Sequence, residues 1–99
     1  MNDRVDTGAA LAARRREIER VDGELVALIA ERARLAREVG GIKKVTAQPL
    51  LDPAREAAVV RRAAELAAEH QLPVEPVRAI FWQLIGLCRT AQHSSSGSD

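Results

Sequence analysis

Tyrosine is absent, and one Phe and one Trp are the whole aromatic content of the 99 residues. A core built from this chain must therefore come from Leu, Ile, Val and the 18 Ala. That supply suits close-packed helices and argues against a β-sandwich or barrel, which draw on β-branched and aromatic side chains. A single Cys rules out an intrachain disulfide framework, and one Cys with two distant His offers no structural zinc site. Charge of one sign is not in excess. The 15 basic side chains stand against 14 acidic ones, mostly interspersed, so the profile of a strongly basic nucleic-acid binder is missing. No run reaches the roughly 18 apolar residues of a membrane span. Arg14, Arg15 and Arg16 break the first Ala-rich stretch, so no signal peptide is read and a cytoplasmic location is expected. A chain this short makes one domain at most. Residues 1–93 are read as a single helical domain and 94–99, which carry no apolar side chain, as a disordered tail.

What the chain does have is helical periodicity. From Gly8 to about Ile42 there is no proline. Ile18, Val21, Leu25, Leu28, Arg32, Leu35, Val39 and Ile42 fall at alternating spacings of three and four, a heptad seam. A helix from Ala9 to Val39 would be about 45 Å long, against a radius of gyration of about 13 Å for a globule of this size. It needs cover that the remaining residues supply only in part, so self-association through this helix is expected. Gly40 and Gly41 resemble a C-cap, yet Ile42 and Lys43 keep the period. A second helix opens with Asp52 as N-cap and Pro53 in the first turn. Its small-residue face is Ala57, Val60, Ala63, Ala64 and Ala67, and it ends near His70, Gln71 and Leu72, before Pro73. A third starts around Pro76 and runs through Val77, Ile80, Phe81, Leu84, Ile85, Cys88 and Ala91. The fold class is all-α, with three helices of which the first is long.

The functional signal lies where polar groups interrupt apolar faces. Arg32 occupies a seam position, where an unpaired charge is costly and needs a partner or an anionic ligand. Lys43, three turns on, looks out of the same side to within about 20°. Arg15 lies about 25 Å before Arg32 along the axis, too far to share a small ligand within one chain. An antiparallel dimer of the long helix would bring it to the partner's site. Arg55 and Glu56 stand in the first turn of the second helix, Arg55 against the dipole preference. Cys88 and Gln92, four apart, share one face of the third helix. Each has an ordinary reading too: Arg32 as a register-setting charge, Arg15 and Lys43 as solvated surface, Glu56 as a helix-start carboxylate, Cys88 as a small core hydrophobe.

Taken together, these residues resemble a known family. The run Arg15, Ile18, Val21-Asp22, Leu25, Leu28-Ile29-Ala30-Glu31-Arg32, Leu35-Ala36, Val39-Gly40 and Lys43 is similar to the opening helix of the all-α chorismate mutases, the AroQ class. The likeness continues through Pro49 and Asp52-Pro53-Ala54-Arg55-Glu56, and ends in Ile80-Phe81, Leu84-Ile85, Cys88 and Gln92. The resemblance implies an intertwined homodimer of three-helix chains and a Claisen rearrangement of chorismate, or a close analogue, to prephenate, on the way to phenylalanine and tyrosine. It further implies that Arg32 and the other chain's Arg15 clamp the substrate carboxylates. Lys43 and Gln92 would donate to the ether oxygen and Glu56 would hold the ring hydroxyl, with Asp52 and Arg55 beside the substrate. Cys88 stands where the best-known bacterial form has a carboxylate-binding serine, and a thiol is the weaker donor. No metal or cofactor is implied, because a unimolecular pericyclic step needs neither.

Other functions fit the same resemblance. They are 4-amino-4-deoxychorismate mutase, isochorismate pyruvate lyase and, from a different class, a non-catalytic helical interaction or regulatory module. A partner synthase that raises activity is a further expectation. Because position 92 is Gln and not a titratable Glu, activity should hold between about pH 5 and 8; a steep fall of kcat across that range would contradict the role given to Gln92.

Overall fold

The computed structural model describes residues 3–97, with side chains from 6 to 92. It is all-α: α1 spans Asp3–Val45, α2 Pro53–Glu69 and α3 Val74–Gly97. Ser98 and Asp99 of the expected disordered tail lie outside the described residues, as do the side chains of 93–97. Among the described residues no helix is long and apolar enough to cross a membrane. The chain divides into two compact units, Met1–Glu31 and Arg32–Asp99.

The first unit is a helical segment with an apolar stripe that is exposed among the described residues. Ile18, Val21, Leu25 and Leu28 are 41% to 60% exposed. Its charged face carries Arg20 between Glu17 and Glu24 at 3.1 and 2.8 Å, exposed pairs of a kind that adds little stability.

The second unit holds the core. Val60, Ala63, Ala64 and Ala67 of α2 are buried with Ile85 and Cys88 of α3, so small side chains let the two helices approach closely. Ala57, expected on this face, is exposed instead; the buried stripe begins one turn later, at Val60. The start of α2 is the one its sequence prescribes. The Asp52 side chain accepts from the Arg55 N–H at 3.1 Å, and Pro53 fills the first turn. At the other end His70 is the C-cap, Gln71 turns left-handed (φ 60°), and the Gln71 and Leu72 N–H groups donate to the Ala68 and Ala67 carbonyls. This is a Schellman closure with glutamine in the place glycine usually takes. The third helix begins at Val74, two residues before the expected Pro76. Pro76 is tolerated there because first-turn N–H groups have no intrahelical acceptor.

The end of α1 is also a Schellman closure. Ala47 has φ 58°, its N–H donates to the Lys44 carbonyl, and the Gln48 N–H reaches the Lys43 carbonyl at 2.8 Å. Gly40 and Gly41 are therefore helix interior and not a cap. Gly40 is buried, and a Cβ there would stand 3.3 Å from the Cα, the Cβ and the backbone oxygen of Gln92. A Cβ would be tight at this crossing, and the backbone lying against it would have to give by a few tenths of an ångström. Beside it, a Cβ on Gly41 would meet nothing within 4 Å. Gly41→Ala should raise unfolding stability by about 0.5–1 kcal/mol through helix propensity. Gly40→Ala should lower it by about 1 kcal/mol despite the same propensity gain. Urea melts of the two variants measure the contrast.

Candidate active site

The C-terminal turns of α1, the first turns of α2 and the second half of α3 enclose a cavity of about 340 Å³. Leu35, Ala36, Val39, Leu50, Val59 and Ile85 give it an apolar lining. Seven residues singled out from the sequence stand around it. They are Arg32 and Lys43 from α1, Asp52, Arg55 and Glu56 at the start of α2, and Cys88 and Gln92 from α3. Arg15 belongs to the Met1–Glu31 unit, where it is exposed, and is not part of this lining.

Each side chain is held by local chemistry. The half-buried Arg32 donates from Nη1 to the Cys88 Sγ at 2.9 Å. The thiol thus acts as the acceptor that orients a guanidinium, although sulfur is a weak acceptor. Lys43 Nζ donates to the Leu50 carbonyl at 3.1 Å, tying the connector after α1 back onto the helix. An ammonium has three N–H donors, so this bond leaves others for a ligand. Asp52 is committed to the α2 cap. Arg55 is exposed and reaches the cavity rim; its backbone N–H is the group the cap holds.

One lining residue escaped the sequence reading. Arg89 Nη2 donates to both oxygens of Glu56, at 2.7 Å each, and so joins α3 to the first turn of α2. Its Nε is buried with no hydrogen-bond partner among the described residues, a cost of about 1–3 kcal/mol for an unmet donor. The signal was available: Arg89 lies four residues after Ile85 and three before Gln92, on the face that carries both. With Arg89 included, the lining sets four cations, Arg32, Lys43, Arg55 and Arg89, against two carboxylates, Asp52 and Glu56. An apolar cavity with an excess of positive charge is suited to a small anionic molecule with an apolar ring, held by charge-assisted hydrogen bonds at its edges.

Residues 14–93 match the sequence family described as chorismate mutase type II. The chain belongs to this family. Among curated relatives it is 39% identical over 75 residues to a chorismate mutase of Methanocaldococcus jannaschii, covering 76% of each chain. It is 36% identical over 75 residues to a bifunctional chorismate mutase/prephenate dehydratase of Escherichia coli, and 35% identical over 74 residues to a 3-dehydroquinate dehydratase of Pyrobaculum aerophilum. The chain spans only 19% and 25% of those two proteins.

The cap at Asp52 sets where Arg55 and Glu56 begin their turn. Asp52→Asn should keep stability, because an amide oxygen also accepts from the N–H three residues on, whereas Asp52→Ala should lose about 1 kcal/mol. Thermal unfolding followed by circular dichroism compares the two.

Proposed function

We propose that this member of the chorismate mutase family catalyses the rearrangement of chorismate to prephenate, in the supply of phenylalanine and tyrosine. The observation that carries the reading is the convergence of Arg32, Lys43, Glu56 and Gln92 on one apolar cavity in a chain of that family. The reaction breaks one carbon–oxygen bond and forms one carbon–carbon bond within a single molecule. It needs no nucleophile and no proton transfer in the bond-making step. What a protein can supply is the folded conformer that brings the two termini together and donors aimed at the oxygen on which negative charge develops.

In this reading Arg32, oriented by the Cys88 thiol, takes one carboxylate. The Lys43 ammonium and the Gln92 amide donate to the ether oxygen. Lys43 carries the larger electrostatic share, since a charged donor is about twice as strong as a neutral one. Glu56 accepts from the ring hydroxyl, and Arg55 lies beside the substrate. Cys88 acts through Arg32 and makes no direct contact with the carboxylate. The second carboxylate is assigned to Arg15 of a second copy, and the exposed stripe of Ile18, Val21, Leu25 and Leu28 supports a homodimer built on α1.

Loss of chorismate followed by ultraviolet absorbance, with the product identified after acid treatment, tests the activity directly. Lys43→Ala should lower kcat by about 100-fold or more while the oligomeric state of the protein is kept. Near-normal turnover in that variant would refute the role of Lys43, and no turnover by the wild-type protein would refute the reaction.

A further inference from the structure

The ring substituent is where related reactions of this fold would differ, and the structure bears on it through Arg89. Glu56 is the carboxylate that the proposed function sets against that substituent, and its negative charge is already matched. A single guanidinium nitrogen lies 2.7 Å from both of its oxygens. The Glu56 side chain is only 20% exposed and Arg89 42%, so water screens the pair incompletely. Among the described residues Glu56 is the acceptor that Arg89 has, since its buried Nε has no hydrogen-bond partner there. The other lining carboxylate, Asp52, is engaged in capping α2. Of the two lining carboxylates, Glu56 is thus the one paired with a cation and Asp52 the one held by the helix cap, while Arg32, Lys43 and Arg55 add further positive charge.

We infer that Arg89 is a specificity-determining residue: by neutralising Glu56 it makes the cavity accept a substrate ring carrying a neutral hydroxyl and reject one carrying an ammonium at the same place. The inference rests on the reading that Glu56 meets the ring substituent. A carboxylate offers about four lone-pair sites. The two that face Nη2 are occupied, and the others still accept a hydrogen bond from a hydroxyl. An ammonium seated on the same oxygens would bring a second full positive charge against the guanidinium inside a cavity already rich in cations. Such like-charge juxtaposition is what discriminates against a wrong partner.

The test compares kcat/KM for chorismate and 4-amino-4-deoxychorismate in the wild-type protein, Arg89→Met and Arg89→Lys. The wild type should favour the hydroxyl substrate by about tenfold or more. In Arg89→Met, which leaves Glu56 unmatched, that ratio should fall by at least about tenfold. Arg89→Lys, which keeps the positive charge, should retain the preference. A merely structural role for Arg89 would lower both activities together and leave the ratio unmoved. That result, or a wild-type protein that uses the amino compound equally well or better, overturns the inference and leaves the mutase reaction standing. A wild type that turns over neither compound overturns the mutase reading, and the inference with it. If Arg89→Met does not fold, the wild-type and Arg89→Lys ratios decide, since loss of the preference in the lysine variant is equally contrary.

Discussion

The close approach at Gly40 brings together the two helices, α1 and α3, that carry most of the cavity lining. With no side chain at that crossing, the end of α1 and the second half of α3 meet at backbone distance, 3.3 Å from an imagined Cβ to Gln92. Arg32, two turns before the crossing, then reaches the Cys88 thiol, and Leu35, Ala36 and Val39 turn their apolar surface into the cavity. Lys43, nearly one turn after it, stands where its ammonium can tie down the Leu50 carbonyl and still rim the site. A larger residue at position 40 would push these groups apart as a set, because they ride on the same two helices.

Charge placed in an apolar setting has to be answered, and here it is answered unevenly. Glu56 and Arg89 answer each other's charge. Among the described residues Arg32 is met by a sulfur and Lys43 by a neutral carbonyl. The two cations with weak partners are those assigned to the negatively charged parts of the substrate, while the strong ion pair meets the ring hydroxyl through Glu56. A bound substrate would give Arg32 a carboxylate and Lys43 an ether oxygen, and would add a hydroxyl to Glu56 without breaking its pair with Arg89. This division of labour is compatible with chemistry that relies on fixed dipoles and charges and on no reactive side chain.

The features legible in the sequence were those decided over short range. Asp52 and Pro53 announce the start of α2 because a cap needs only the next three residues, and the three-four spacing of Arg32, Leu35, Val39 and Lys43 shows one side of α1. Long-range partners hid the rest. Gly40 and Gly41 left the end of α1 open by a turn although the period ran on through Ile42 and Lys43, and the backbone of Gln92 shows what a glycine at 40 is for. Arg89 passed unnoticed because its meaning lies in a carboxylate 33 residues away. The start of α3 shifted by two residues because a proline inside the first turn marks a helix beginning only to within that turn.

Both ends that border the connectors, at Ala47 and Gln71, are closed by residues in a left-handed conformation that ordinarily belongs to glycine. Each such position costs about 1 kcal/mol or more, and neither residue touches the cavity. The strain therefore has no part in the chemistry. It is a reserve open to neutral drift: a change to glycine at either corner would relax the backbone while leaving every charge in the site where it is. A fold with unclaimed stability at its corners can absorb an otherwise damaging substitution in its small alanine core.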